Sequence, residues 1–444
     1  MSKQRPHLAP TVIAALLATA HTAHADLAAG PMLGHVDMRE AIVWAQAEQP
    51  SELSVTYSPQ GETTRYTAKS VSVEATTAYT AQLVLDQVEP GTTYNYQVLE
   101  NGQPVGEQYN FTTPSNYLDR SPPPDFKFAV GGAHYAIQDG YEPPYKLLGG
   151  GYGIFQTIAQ TKPQLMIWAG NTAHLRDSDW ASRSGVLKRY SHARAIPELK
   201  QLLATVPNYA TWGNADYSTR DAGAHYTFRE HTEDAFKAFW PSPAEVSALD
   251  GIATRFRYSD VEFFMLDVRS YRDDLPDSKS LPTILGDEQI AWLRQELIRS
   301  TATFKIIIAG APILNPADNP LNLSSADREH TRLLEMLRSE QIDGLFCISG
   351  GKYYGELTKL VHASSYNLYD LTVGPTTATP QENSDELNFF RVPNSTVEER
   401  HFALIEVSGP EEDRLLTVRA MSMEGSELWN RKIKATDLAS PNKE

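Results

Sequence analysis

The residues best placed to do chemistry fall directly after four apolar runs. Residues 126–130 lead into Gly131-Gly132-Ala133-His134, and 165–168 into Ala169-Gly170-Asn171-Thr172. Residues 208–212 lead into Gly213-Asn214-Ala215-Asp216, and 345–348 into Ser349-Gly350-Gly351-Lys352-Tyr353. Glu356 follows shortly after, and His174 and Arg176 lie just past the second exit. His134, Asn171, Asn214, Asp216 and Glu356 carry donors from which a single hard divalent ion could be held. Each also reads as a hydrogen-bonded loop residue, with Asp216 and Glu356 paired to backbone amides. Lys352 offers a point charge to a phosphate, and Arg176 a planar fork to an anion. Arg183, Arg189 and Arg194 extend that basic stretch, and internal salt bridges are the competing role for all of them. Tyr353 and Tyr354 read as packing residues rather than nucleophiles.

Such groups need a scaffold that brings loop ends together. After about residue 125 the chain alternates strand and helix patterns. Strands are expected at 126–130, 165–168, 208–212, 263–266, 304–309 and 345–348. Helices are expected at 153–160, 197–204, 287–300 and 326–339, and strands return at 402–407 and 415–420. In the 287–300 helix Ile290, Leu293 and Leu297 share one face. Alternating elements of this kind make an α/β domain, in which functional groups gather at the C-terminal ends of strands.

The first hundred residues differ. Leu53, Val55 and Tyr57 alternate with polar residues, as do Tyr94, Tyr96 and Val98. Asn101-Gly102 is a strong hairpin signal, and Pro90-Gly91 marks another turn. Short strands with regular turns predict a β-sandwich over 26–117. The run "VEPGTTYNYQV" followed by "YNFTT" resembles fibronectin type III-like domains. Pro122-Pro123-Pro124 closes the link before the second domain, taken as 125–436.

Residues 1–25 read as an address. Lys3 and Arg5 precede an apolar stretch, and Ala23-His24-Ala25 offers a small-x-small cleavage site. The stretch is too short to span a bilayer. The protein is therefore expected to be exported, to a periplasm or outside the cell. Removing this segment takes away two basic and no acidic residues, shifting the net charge from −16 to −18. That balance excludes electrostatic binding of nucleic acid or anionic lipid. The one cysteine, Cys347, excludes an internal disulfide framework.

Longer runs carry a family resemblance. "FAVGGAHY" from Phe128, "PQLMIWAGNTAHLRDSDWASRSG" from Pro163, "PNYATWGNADYS" from Pro207, "FFMLDVRSYRDD" from Phe263, "FCISGGKYYGEL" from Phe346 and "LYDLTVGPTT" from Leu368 occur in order. The chain resembles the PhoD-like alkaline phosphatases, a branch of the calcineurin-like metallophosphoesterases. That resemblance implies an α-β-β-α sandwich behind the β-sandwich. It also implies phosphoric ester hydrolysis at a cluster of calcium and iron, or similar divalent and trivalent metals. The family's ligands are expected in Gly-Ser-Cys, Gly-Asp-Asn, Trp-Asp-Asp-His-Asp and Ser-Gly-Asp-x-His motifs.

This sequence departs from those motifs at nearly every donor. Ala133 stands for the cysteine, Asn171 for the bridging aspartate and Thr172 for its asparagine. Gly213, Asn214 and Ala215 replace Asp-Asp-His, with Asp216 kept, and Gly351 and Tyr353 replace the last aspartate and histidine. Alanine and glycine side chains have no donor, and neutral asparagine compensates charge weakly. Without a cluster nothing lowers the pKa of a water towards 7. The expectation is a catalytically silent pseudophosphatase with no metal cofactor, which acts by binding a small anionic ligand or a protein partner. His134, His174, Arg176, Asp216, Lys352 and Glu356 are its residual pocket residues. The alternative is an active phosphatase or phosphodiesterase with a rebuilt site.

Overall fold

The computed structural model describes residues 26–142, 148–218, 222–273, 282–361, 366–382 and 386–440. Residues 1–25, read above as an export signal, lie outside them. No helix among the described residues is long and apolar enough to cross a membrane.

The alternating residues of the first hundred positions pair as two sheets. One holds Ala29–Val36, Ala41–Gln46 and Thr80–Leu85. The other is built on Ser51–Pro59 and Thr93–Glu100. Leu53, Val55, Tyr57, Tyr94 and Tyr96 of the second sheet cluster with Leu33, Val43 and Leu83 of the first between them. Asn101 and Gly102 both have positive φ, 50° and 76°, in the two-residue turn linking Glu100 to Gln103. That is the twist a tight hairpin needs.

The second domain is built on two six-stranded sheets. The first runs Asn208–Thr211, Leu165–Ala169, Phe126–Gly131, His401–Ser408, Leu415–Ser422, Glu427–Lys434. The second runs Thr254–Tyr258, Val261–Leu266, Phe304–Ala309, Leu345–Ser349, Leu368–Thr372, Glu356–Leu360. Three adjacent strands of the first and four of the second are parallel. Their facing sides bury Phe128, Val130 and Ile167 against Phe263, Ile306 and Phe346. The outer face of the first sheet is covered by Ile154–Gln160, Arg183–Arg194 and Lys200–Thr205. The outer face of the second is covered by Gly286–Arg299 and Asp327–Ser339. Sheets buried on both faces read as near-continuous apolar runs, which is why these strands were visible in the sequence.

Other elements were not anticipated. Helix Arg229–Phe239 is mostly charged and buries a narrow stripe of Thr232, Ala235, Phe236 and Phe239. Strand Glu427–Lys434 is an edge strand with largely exposed, charged side chains. Cys347 is buried mid-strand, where desolvation pushes its thiol up and away from reactivity.

The two domains share contacts. The Trp44 indole donates to Ala238 O at 2.8 Å, the Tyr96 hydroxyl to Ala204 O at 2.7 Å and the Asn208 amide to Leu33 O at 3.2 Å. Met32 and Trp44 of the sandwich belong to the same apolar cluster as Trp168 and Trp212.

Candidate functional site

The parallel strands of both sheets end on one edge, and their exit loops interlock there. Gly350 approaches the first sheet so closely that a Cβ would lie 1.6 Å from Ala169 O. The amides of Ala133 and His134 donate to Gly170 O and Asn171 O at 3.0 and 2.8 Å. Ala133, Asn171 and His174 all adopt positive φ, at 49°, 57° and 54°. For residues other than glycine each costs about 1 kcal/mol or more, and such strain concentrates at functional sites.

Asp216 organises this edge. It is fully buried, and its carboxylate accepts the backbone N–H groups of Asn171, Thr172, Ala173 and Gly213 at 2.5, 2.5, 2.7 and 2.9 Å. Burial pushes its pKa up, against the pull of the four amides. The expected pairing with backbone amides is therefore observed for Asp216. It is not observed for Glu356. That carboxylate, also fully buried, meets side chains instead: Asn315 at 2.9 Å, Asn388 at 2.8 Å and Arg391 at 2.5 Å. Glu356 starts an antiparallel edge strand, so its side chain points into a polar cluster and away from the amide-rich exit loops.

The remaining candidates are engaged with one another. Asn171 Nδ2 donates to Asn214 Oδ1 at 3.2 Å, and Asn171 Oδ1 accepts from the Ala215 amide at 2.9 Å. Thr172 Oγ1 lies 3.2 Å from Asp216. His174 Nε2 and Tyr353 Oη share a hydrogen bond of 2.8 Å. Burial holds His174 down to about 4 and pushes Tyr353 up to about 12. His134 turns away from the edge. It bonds Thr377 Oγ1 at 2.7 Å and Ala193 O at 3.4 Å, and burial lowers it to about 3.

The cations are also spent. Lys352 Nζ sits 2.7 and 2.8 Å from the two oxygens of Glu386. Arg176 forks onto Asp179 at 2.7 and 3.1 Å and reaches Gln138 at 2.7 Å. Salt bridges, rather than a free anion-binding fork, account for it. Arg189 has a role the sequence did not reveal. From the middle of a helix it donates to Ala173 O, His174 O and Ala136 O at 2.8–3.0 Å, pinning two exit loops. Its spacing of three from Val186 and four from Ala193 puts it on the buried face. The partners it would find there carried no local signal.

Beyond the edge lies a cavity of about 590 Å³, bordered by Asn214, Gly351, Lys352, Tyr353, Tyr354 and Glu386. Asn214, Gly351 and Tyr353, three positions where the sequence reading expects lost ligands, thus border one space. Among the described residues no group of three or more His, Cys, Asp or Glu side chains is arranged to hold a metal. The donor set at this edge does not fit a multinuclear cluster. The buried carboxylate of Asp216 is saturated by amides, and Asn171 is turned to its neighbours.

A family profile described as PhoD-like phosphatase matches residues 128–405, well over half the chain. The chain belongs to the PhoD-like phosphatase family. A profile for a domain of unknown function matches residues 24–118. Among solved structures, one of PhoD is similar with a TM-score of 0.71 at 16% identity, covering 95% of this chain and 93% of that one. A purple acid phosphatase from yellow lupin (Lupinus luteus) seeds is similar at 0.68 and 14% identity, covering 92% and 75%. These likenesses establish the fold. No protein of curated function matches by sequence.

Within this PhoD-like fold Gly213 and Asn171 are sterically linked. A Cβ at Gly213 would come within 2.3 Å of Asn171 Oδ1. Gly213→Asp alone is therefore expected to cost ~1–3 kcal/mol in urea unfolding through overpacking. Pairing it with Asn171→Ala should recover part of that loss. Unchanged stability of the single variant would show that Asn171 is not held in place.

Proposed function

We propose that this PhoD-like protein is an exported pseudophosphatase, which binds a ligand or a protein partner at its strand-exit edge and does not hydrolyse phosphate esters. The observation that carries this reading is the state of the edge itself. Asn171, Asn214, Ala215 and Asp216 satisfy one another and the backbone, where a hydrolase of this fold would spend the same positions on metal. With Asp216 saturated by amides, and no three His, Cys, Asp or Glu side chains grouped to hold a metal among the described residues, little there would bring a water towards a hydroxide at neutral pH. A carboxylate cluster without metal would suffer like-charge repulsion, which the neutral Asn and Gly side chains avoid. The cavity beside Tyr353 supplies the binding space. Lys352 contributes little net charge to it, because Glu386 holds its ammonium.

Export follows from the reading of residues 1–25, and the absence of a resident metal from the donor chemistry. Both are tested together. Protein purified from the exported fraction should begin near Asp26 and carry substoichiometric calcium, iron, manganese and zinc. It should leave a chromogenic phosphomonoester and phosphodiester intact in the presence of each. Stoichiometric metal together with turnover would establish the alternative, an alkaline phosphatase or phosphodiesterase with a rebuilt site.

A further inference from the structure

A loop beside the strand-exit cavity holds large apolar side chains out of the protein. Leu387, Phe389 and Phe390 are 66%, 82% and 39% exposed, while Asn388 between them is buried. Single apolar residues scattered over a surface need no explanation, but three within four positions form a patch. The loop is firmly seated. Asn388 Nδ2 donates to Glu356 Oε1 and to Thr358 Oγ1, both at 2.8 Å, and its Oδ1 accepts the Phe390 amide at 3.0 Å. Arg391 donates to Glu356 Oε2 and to Glu386 O at 2.5 and 3.2 Å. Phe390 O accepts the Lys359 amide, and Leu357 O accepts the Val392 amide, each at 2.8 Å. The loop thus runs antiparallel along the outer edge of strand Glu356–Leu360. The buried Glu356 cluster has a task here: it fixes the turn that holds Phe389 outward.

The patch continues into the cavity. Leu387 and Glu386 both border that space, and the acids Asp318 and Glu382 stand exposed on its rim. Among the described residues, Asp318, Glu382 and Glu386 border it against one ammonium, that of Lys352. Glu386 already holds that ammonium through both of its oxygens. The field at the mouth is therefore negative. It disfavours an anionic ligand and favours a cationic group.

We propose that Leu387, Phe389 and the cavity mouth form one docking surface for a protein partner, which lays apolar side chains on the phenyl ring and brings a lysine or arginine to Asp318 and Glu382. This deepens the reading of the edge as a binding site and rests on it. An aromatic anchor on a pre-set backbone is ordered at little further entropic cost, and interface energy concentrates in such residues. The partner's basic side chain sets the register, since its charge meets the acidic rim. A second copy of this chain fits less well. A two-fold contact would bring Phe389 to Phe389, but also acidic rim to acidic rim. An anionic membrane surface meets the same repulsion.

Selection from a random library of short displayed peptides against the purified protein tests this, followed by binding titrations of the enriched peptides. The expected peptides place lysine or arginine beside phenylalanine, tryptophan or leucine, bind saturably, and weaken as salt is added. Phe389→Ser should weaken them about tenfold or more, and Glu382→Lys likewise. Both side chains are exposed, so the unfolding midpoint should stay where it is in either variant. Phe389→Trp should keep the affinity. Enriched peptides that are acidic, affinities unmoved by Phe389→Ser, or no enrichment at all would each overturn the proposal. So would a dimer in sedimentation that Phe389→Ser dissolves, which assigns the patch to a second copy. Phe389-dependent flotation with phosphatidylglycerol vesicles, without peptide binding, would assign it to a membrane and overturn it too. Turnover of a phosphate ester alongside Phe389-dependent peptide binding would leave the surface standing and refute the noncatalytic reading alone.

Discussion

Asp216→Asn is expected to cost about 3–5 kcal/mol of folding stability, among the largest effects any single polar substitution has here. The carboxylate places one oxygen against the Thr172 and Ala173 amides and the other against those of Asn171 and Gly213. Asparagine has the same shape but turns one of those oxygens into an NH₂ group. Whichever way the amide is set, two buried N–H donors then face a donor. Each unmet buried donor costs about 1–3 kcal/mol. The urea midpoint should fall with its slope unchanged, since the exposed surface on unfolding stays the same. A loss under 1 kcal/mol would mean that the exit loops hold their shape without this charge. Asp216 would then be ornamental in a site we read as built around it.

Acid is the second large lever. His134, His174 and His401 are held down to about 3, 4 and 4 by burial, against an ordinary value of 6.5. Each is neutral when folded and takes up a proton on unfolding between those values and pH 6.5. Stability is thus full above pH 6.5 and lost as pH falls. His35, His192 and His330 are lowered in the same sense. Two carboxyls oppose them. Asp370, raised to about 6, and Asp216, also raised, keep protons in the folded state that the unfolded chain has released. Their contribution falls as pH rises from about 4 towards their folded values. The histidines outnumber the carboxyls, so a net uptake of at least about one proton is expected. That corresponds to ~1.4 kcal/mol per pH unit between pH 6 and 4. Urea midpoints measured across that range should decline accordingly, and less steeply in His401→Gln. Stability that stays level down to pH 4 would contradict the buried neutral imidazoles.

The scaffold was largely legible because buried strands and amphipathic helices repeat themselves locally. Val130, Ile167 and Ile308 sit in apolar runs that announce their elements. Asp216 was legible as an amide-bound carboxylate because it stands between glycine-rich turns that leave N–H groups uncovered. Glu356 was not, since its partners Asn315, Asn388 and Arg391 come from distant segments with no mark of their meeting. His134 stood beside a motif position yet points to Thr377, 243 residues on. The helix Arg229–Phe239 was missed for a different reason. Its apolar stripe is too thin to outweigh its charges until the sheet and the sandwich are both there to cover it.

The joint between the domains has a consequence for how the chain is made. Trp44 must wait for Ala238, 194 residues later, before its indole is satisfied. At ~5–20 residues per second of synthesis that is a delay of ~10–40 s. During it the sandwich has no partner for the face that carries Met32 and Trp44. On the export proposed above, such a late-arriving partner would keep the leading part of the chain from settling before translocation. The sandwich's outer face is thus completed only by contacts that the second domain supplies. Truncations ending before Pro241, which accepts the His35 amide at 2.9 Å, should stall as sticky, half-built nascent chains.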